Sequence, residues 1–283
     1  MIVINSAAEM QTIAKSLQKQ GKTIACVPTM GFLHEGHLSL ISYAHEIADV
    51  VITTLFVNPT QFGPAEDFSK YPRDFEKDCL LAGESGADYL FAPDEKDMYS
   101  EGFATNIHIS GVTERFEGAF RPTHFDGVAL IVAKLFGCTM PDIAVFGQKD
   151  YQQTLLIKRM ISDLNLPVEI VVMPTIRRED GLAKSSRNKY LTEAQSSKAK
   201  MIHQALLNGR SAIEKGIRER QEIDYIMAKE LSMDLDFRIQ YLQSAKADDF
   251  SLPDNFDPKD DIVLLAAVYL GNTRLIDNEL VKA

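Results

Sequence analysis

Cysteine is scarce in this chain. Its three cysteines, Cys26, Cys79 and Cys138, lie more than fifty residues apart among 283. No C-x-x-C or other metal spacing occurs, and an odd count fits buried apolar thiols in a reducing compartment better than a disulfide framework. Positive charge is also in deficit, with 30 Lys plus Arg against 40 Asp plus Glu and a net charge of −10. A chain so acidic is a poor binder of phosphate backbones, so no nucleic-acid partner is expected and any anionic ligand must be met by a few local donors. No apolar run approaches the roughly 18 residues of a membrane span, so no membrane partner is expected. The stretch from Met1 to Met10 lacks a basic leader pattern, and a cytoplasmic location is the expectation. Apolar residues make up 45% of the chain and charged residues 25%. Wholesale disorder is excluded by that balance. The length accommodates a sizeable core and about two domains.

Apolar runs of strand length alternate with helical periodicity from the start of the chain to Thr175. Strands are expected at residues 1–4, 23–27, 50–57, 88–91, 106–109, 142–146 and 167–172, and helices at 36–47, 73–84, 125–136 and 152–164. The run VVITTLFV at 50–57 is nearly all apolar, as a central parallel strand covered on both faces requires. Such alternation predicts an α/β fold with a doubly wound, Rossmann-like parallel sheet, whose ligands bind beyond the carboxyl ends of the strands. After Thr175 the pattern changes to helices at 193–213 and 221–231 and strand-like runs at 237–243, 262–268 and 274–278. This predicts a domain over 1–175 and a second, smaller α+β domain over 176–283. The acidic stretch KADDFSLPDNFDPKDD between two of these strands is a solvated connection.

Two segments carry chemistry. PTMGFLHEGH at 28–37 places Gly31 and Gly36 at P-loop spacing, but His37 and Leu38 stand where Lys and Ser/Thr are required. No G-x-G-x-x-G follows a strand, which argues against a dinucleotide oxidoreductase. What remains is His34-Glu35-Gly36-His37 between a strand and a helix. Two imidazoles and the N–H groups of a helix start can meet developing charge on a phosphate. A metal pair or an ordinary polar helix start are the alternatives, though no third ligand accompanies the histidines. The second segment, Ala183-Lys184-Ser185-Ser186-Arg187-Asn188, sets small hydroxyls beside cations. That is a clamp suited to nucleotide phosphates, or simply a basic turn.

An HxGH after an early strand, with a KSS-type loop downstream, resembles the α/β superfamily of class I aminoacyl-tRNA synthetases and cytidylyl- and adenylyltransferases. Three more segments narrow this: FVNPTQFG at 56–63, RPTHFDG at 121–127 and FGQKDYQQ at 146–153. In this order, over most of the chain up to Thr192, the sequence resembles the pantothenate synthetase (pantoate–β-alanine ligase) family. The resemblance implies an AMP-forming carbon–nitrogen ligase of pantothenate and coenzyme A biosynthesis. Pantoate and ATP would give a pantoyl adenylate, and β-alanine would displace AMP.

The resemblance also implies site residues. Met30, Gly31, Phe32, Leu33, His34, Glu35, Gly36 and His37 would line the ATP site, with His37, His34 and Lys149 catalytic. Gly147, Gln148, Lys149 and Asp150 would reach the adenosine side and the phosphates, and Ile176 would touch adenine through its backbone. Lys184, Ser185, Ser186 and Arg187 would close over the triphosphate. Gln61 and Gln153 would hold pantoate, with Gln61 also near β-alanine, and Asn58 and Arg121 would support that pocket. Lys184 and Gln148 depart from the Met or Leu and the Glu that often stand there. ATP as substrate, Mg²⁺, a small lid domain and a homodimer are further implications, and no protein metal ligands are assigned. A nucleotidylyltransferase with a nucleotide-linked product is the alternative, and a nucleotide-sensing protein without turnover a second. His45, His108 and His203 carry no assigned role, and for His124 packing and site support weigh equally.

Overall fold

The computed structural model describes residues 1–64, 66 and 68–283. Contacts divide the chain into a unit of residues 1–147 and 152–174 and a unit of residues 148–151 and 175–283. The second unit thus takes up Gln148–Tyr151, four residues that the sequence alternation gives to the first domain.

The first unit holds six strands, β1 (Ile2–Ile4), β2 (Ile24–Thr29), β3 (Val50–Leu55), β4 (Tyr89–Phe91), β5 (Ile143–Gly147) and β6 (Glu169–Met173). Their order is β1-β4-β3-β2-β5-β6 and every pair is parallel. The principal helices are α1 (Ala7–Lys19), α2 (Glu35–Ile47) and α3 (Phe75–Glu84), the single turns α4 (Glu95–Met98) and α5 (Glu117–Phe120), then α6 (His124–Thr139) and α7 (Tyr151–Leu164). Strand side chains alternate between two cores, as a period of two demands. Ile24 and Ile52 join α1, α6 and α7 on one face, whereas Ala25, Val27 and Val51 join α2 and α3 on the other. Helix α6 is apolar nearly all round, with Phe125, Val128, Leu130, Ile131, Val132 and Leu135 buried, as befits a helix inside the core. The winding reverses between β2 and β5. In an open parallel sheet that switch point is where ligands bind, so the ends of β2, β3 and β5 are the place to look for a site.

Residues 106–109 form no strand. The run NIHI alternates, but only Ile109 is buried there, and His108 is instead held at the surface by Asp126, 2.9 Å away. All three cysteines are free. Burial pushes the Cys26 thiol up to about 12 and also raises those of Cys79 and Cys138. No reactive thiolate is left.

In the second unit, helices α8 (Glu193–Glu214) and α9 (Arg220–Leu231) pack on an antiparallel sheet of β7 (Phe237–Lys246), β8 (Ile262–Leu270) and β9 (Thr273–Val281), in that order. Ile202, Leu206, Ile223, Met227, Leu264, Ala266 and Val268 form its core. Among the described residues no helix is long and apolar enough to cross a membrane.

Candidate active site

The turn after β2 is tightly determined. Gly31 adopts φ 79° and Phe32 φ 51°. Such a left-handed pair costs the non-glycine residue energy unless its surroundings hold it. Asp78, buried in the first turn of α3, does the holding. Its carboxylate accepts the N–H groups of Phe32 and Leu33, each at 2.7 Å. Burial raises the Asp78 pKa above the ordinary carboxylate value, with those two donors pulling the other way. A Cβ on Gly31 would stand 3.0 Å from Asp78 Oδ2 and 3.2 Å from Leu55, so with φ at 79° a side chain there is strained and crowds the Asp78 carboxylate. Sequence inspection misses Asp78. An acidic residue in the first turn of a helix is ordinary, and its partners lie 45 and 46 positions upstream.

The two histidines cap α2 reciprocally. His34 is the N-cap, and its Nδ1 accepts the Gly36 N–H at 3.2 Å. His37, three residues on, accepts the His34 N–H on its own Nδ1 at 3.3 Å. They occupy the places that Ser and Glu take in a capping box. Because both Nδ1 atoms accept, each neutral ring carries its proton on Nε2, where it is a hydrogen-bond donor. The rings lie 4.1 Å apart between centroids. Gly36 is required because a Cβ would meet the His34 ring at 2.9 Å. H-x-G-H here is therefore a device that fixes two imidazole donors at a helix start, where the backbone dipole also favours an anion.

Gln61, in the turn after β3, is held on every side. Its Nε2 donates to Met30 Sδ at 2.8 Å, and its Oε1 accepts from Asn58 Nδ2 at 3.2 Å. Its carbonyl accepts from His124 Nδ1 at 2.8 Å and from Arg121 at 3.5 Å. Buried Asn58 gives its second amide hydrogen to the Gly127 carbonyl and accepts from Tyr99 and Thr60. Arg121 is matched by Glu66 through two bonds of 2.7 Å, with Glu117 3.6 Å away. Burial works against the Glu66 carboxylate, but the Arg121 hydrogen bond and charge outweigh it and hold its pKa below the ordinary value. Asn58 and Arg121 thus both bond Gln61, one at its side-chain oxygen and the other at its carbonyl.

His124 belongs to the same support. Its pKa falls to about 4, through burial first and the Arg121 charge second, although its hydrogen bond to Gln61 and the Glu117 and Glu66 carboxylates pull upward. A carbonyl can only accept, so Nδ1 carries the proton and the ring is neutral. A histidine that prefers to be neutral when folded stabilises the protein fully above its unfolded value of 6.5, and that contribution is lost as pH falls toward 4. The loss is on the order of 3 kcal/mol. His124→Asn keeps an N–H for the Gln61 carbonyl and removes the titration. The fall in urea midpoint between about pH 6.5 and 4.5 is expected to be clearly shallower in the variant. Equal slopes would remove His124 from the pH dependence.

Gly147 ends β5. Of the two glutamines that follow in YQQ, Gln152 is structural. It donates to the carbonyls of Val112 and Arg115 and accepts the Glu117 N–H, at 2.7, 2.9 and 3.0 Å. Gln153, next along α7, is partly buried.

The remaining expected site residues fall in the second unit. Residues 176–184 make a small hairpin in which Lys184 N–H donates to the Ile176 carbonyl at 2.9 Å and Arg177 bridges Ala183. Its turn is Gly181, at φ 91°, where a Cβ would lie 2.7 Å from His203. Ser185 then caps a 3₁₀ turn, its hydroxyl accepting from Arg187 N–H, and Ser186 is buried behind it. The hydroxyl of Ser185 is thereby engaged in the turn itself. Lys149 lies 3.9 Å from Asp150. Beneath the hairpin, Arg177 pairs in a fork with Asp277 of β9 at 2.6 and 3.0 Å. Asn278 donates to the carbonyls of Gln148 and Lys149 at 3.0 and 2.9 Å. These β9 residues lie in a stretch where sequence shows no motif. Among the described residues no group of three or more His, Cys, Asp or Glu side chains is placed to hold a metal ion.

Comparison with known proteins gives a consistent result. The profile of the family described as pantoate-beta-alanine ligase matches residues 2–280. A pantothenate synthetase of Moorella thermoacetica is 47% identical over 282 residues, covering 100% of this chain and 99% of that protein. One from Caldicellulosiruptor bescii is 46% identical, with both chains covered completely. The crystal structure of pantothenate synthetase from Thermus thermophilus superposes with a TM-score of 0.91 at 40% identity, covering 99% of each chain. That of pantoate-beta-alanine ligase from Francisella tularensis, complexed with beta-gamma ATP and beta-alanine, gives 0.80 at 36% identity, over 99% of this chain and 97% of that one.

Proposed function

This chain belongs to the pantoate–β-alanine ligase family, and from that premise we propose how its residues carry an AMP-forming ligation of pantoate to β-alanine. A pantoate carboxylate oxygen attacks the α-phosphorus of ATP. The bond from that phosphorus to the bridging oxygen breaks, and pyrophosphate leaves with the electron pair. The β-alanine amine then attacks the acyl carbon of pantoyl adenylate, forming the amide as the carbon–oxygen bond to AMP breaks and the amine releases its proton.

The observation that carries this reading is the reciprocal cap of His34 and His37. It fixes both Nε2 donors at a helix N-terminus, an arrangement complementary to charge building on a phosphate. Lys149, Lys184, Ser186 and Arg187 act on the phosphates of the same nucleotide, with the Gly147–Asp150 segment and the Ile176 backbone toward adenosine. The labile adenylate must also be kept from water until the amine arrives. Mg²⁺ would arrive on the ATP phosphates and neutralise their charge there. A donor set of imidazole, ammonium and guanidinium rather than clustered carboxylates is consistent with that. By the same family resemblance the chain works as a cytoplasmic homodimer, a state that sedimentation tests directly.

Pantoate is held by amides. An arginine on the attacking carboxylate would stabilise the ground state and blunt the nucleophile. Gln61 and Gln153 orient it without that cost, and Arg121, the guanidinium bonded to the Gln61 carbonyl, is already neutralised by Glu66. Accordingly Gln61→Arg and Gln153→Arg are expected to stay as impaired as the corresponding alanine variants in steady-state assays. Near-wild-type rates from either arginine variant would refute the argument. The reaction order is tested by pyrophosphate–ATP isotope exchange with pantoate present and β-alanine absent. Exchange means that the adenylate forms first, and its absence would discard the intermediate. Release of AMP only when β-alanine is added separates ligation from simple nucleotidyl transfer.

A further inference from the structure

Strand β9 is an edge strand of the three-stranded sheet, yet its middle carries Asp277, Asn278 and Glu279 in succession, the first two almost fully buried. Polar side chains so placed need partners, and here the partners come from two other segments of the same unit. Asn278 gives both amide hydrogens to successive carbonyls, those of Gln148 and Lys149, and its Oδ1 accepts from Gln148 Nε2 at 3.3 Å. Its own carbonyl accepts from Arg177 at 3.1 Å, and its N–H donates to Asp277 at 2.8 Å. Asp277 forms the fork with Arg177, the residue that opens the 176–184 hairpin. Glu279 completes the ring, 3.8 Å from Arg177, 2.7 Å from Arg210 and 3.9 Å from His203, the histidine against which Gly181 turns. The neighbouring His203 ring first, together with the Arg210 and Arg177 guanidiniums, outweighs burial and keeps the Glu279 carboxyl below the ordinary value.

We infer that Asp277 and Asn278 are positioning residues for ATP: they fix the Gln148–Lys149 segment and the Ile176–Arg187 segment in one relative geometry. The inference rests on the assignment of those two segments to the nucleotide. Its physical content is that Asn278 orients two consecutive peptide planes, one bearing Lys149, and that the Arg177 fork sets the hairpin from which Lys184 to Arg187 follow. A bidentate guanidinium–carboxylate pair has a single planar geometry, so it transmits position and not merely attraction. A purely structural role would lower stability and leave the two substrates equally affected. A positioning role acts on ATP alone.

The test is Asn278→Asp, which preserves shape but replaces two donors with an acceptor facing two carbonyls. Displacement of the Gln148–Lys149 segment by a fraction of an ångström to one ångström is expected to raise the KM for ATP by about 10- to 100-fold, with the KM for pantoate within about twofold of wild type. Asp277→Asn is expected to act in the same direction. A folded Asn278→Asp protein with wild-type ATP KM, or with both substrates weakened by one factor, overturns the inference. Should that variant not fold, Asn278→Ser, which retains one donor, is judged by the same two criteria. Amide hydrogen exchange on the unaltered chain gives a readout that needs no variant. Saturating ATP is expected to slow exchange across residues 274–281, and unchanged exchange there also overturns the inference. Failure of the functional reading is seen separately. A wild-type chain that binds ATP by calorimetry but shows no pantoate-dependent exchange would sink the ligase mechanism while leaving the ATP affinity of Asn278→Asp measurable.

Discussion

His37→Ala is expected to lower pantoate-dependent pyrophosphate exchange by about 10²–10³-fold, the usual effect of removing one preorganised donor from developing charge. The variant also loses half of the α2 cap, because the His34 N–H no longer has the His37 Nδ1 to bond. That loss alone is worth about 1 kcal/mol of stability, which lowers the melting temperature by a few degrees. The two consequences can be pulled apart with His37→Gln. Glutamine is a natural residue at the third position of a capping box, so its side-chain oxygen restores the bond to the His34 N–H. It does not restore an imidazole Nε2–H over the helix start. His37→Gln is therefore expected to regain most of the lost melting temperature and little of the lost rate. A variant with restored rate would show that His37 matters only as a cap, and an alanine variant within about tenfold of wild type would remove it from catalysis altogether.

The second large effect comes from a residue that touches no reacting atom. Gly127, in the first turns of α6, lies so close to the turn after β3 that a Cβ would stand 2.5 Å from the Thr60 carbonyl oxygen, 2.6 Å from its carbon and 2.7 Å from the Gln61 nitrogen. All three are backbone atoms, which cannot swing aside as a side chain would. Either α6 or the 58–61 turn must move, and the Gly127 carbonyl that receives Asn58 Nδ2 moves with it. Gly127→Ala is expected to cost about 1–3 kcal/mol of stability from overpacking. Displacing Gln61 by about 1 Å is expected to reduce kcat/KM for pantoate about 100-fold. Gly137→Ala is the control, on the same helix with nothing within 4 Å of its added Cβ. That variant is expected to be neutral or stabilising by up to about 1 kcal/mol. If Gly127→Ala folds and handles pantoate as wild type does, the close approach has no bearing on Gln61.

Much of the fold was legible because it follows from local rules. The apolar run at 50–57 announced a central strand, and β3 occupies 50–55 with Val50–Thr54 buried. Alternation of strand and helix announced the parallel sheet, and the shift in texture announced the antiparallel one. The exception is instructive. Residues 106–109 have strand-like alternation, but a strand needs a neighbour with unpaired backbone, and whether one is within reach is not a local property. Likewise, two adjacent glutamines look equivalent in YQQ. Only the structure shows Gln152 clasping Val112, Arg115 and Glu117, because those partners lie 35 to 40 residues away. His124 resolves the same way, as a neutral donor to the Gln61 carbonyl rather than a ring that only packs.

Local sequence sets the chemistry on offer: imidazoles at a helix start, amides after a central strand and cations beside small hydroxyls, in an order that belongs to one family. These are readable because contiguous residues share a turn, and a turn is fixed by its own φ, ψ and capping atoms. Tertiary structure alone decided which ordinary residues hold that chemistry still. Asp78 for the Gly31–Leu33 turn, Gly127 and Asn58 for Gln61, and Asp277 with Asn278 for the second unit's two segments are all supports that no motif marks, most of them remote in sequence from what they hold. A buried backbone group must find a partner wherever the folded chain brings one, and sequence distance places no bound on where that will be.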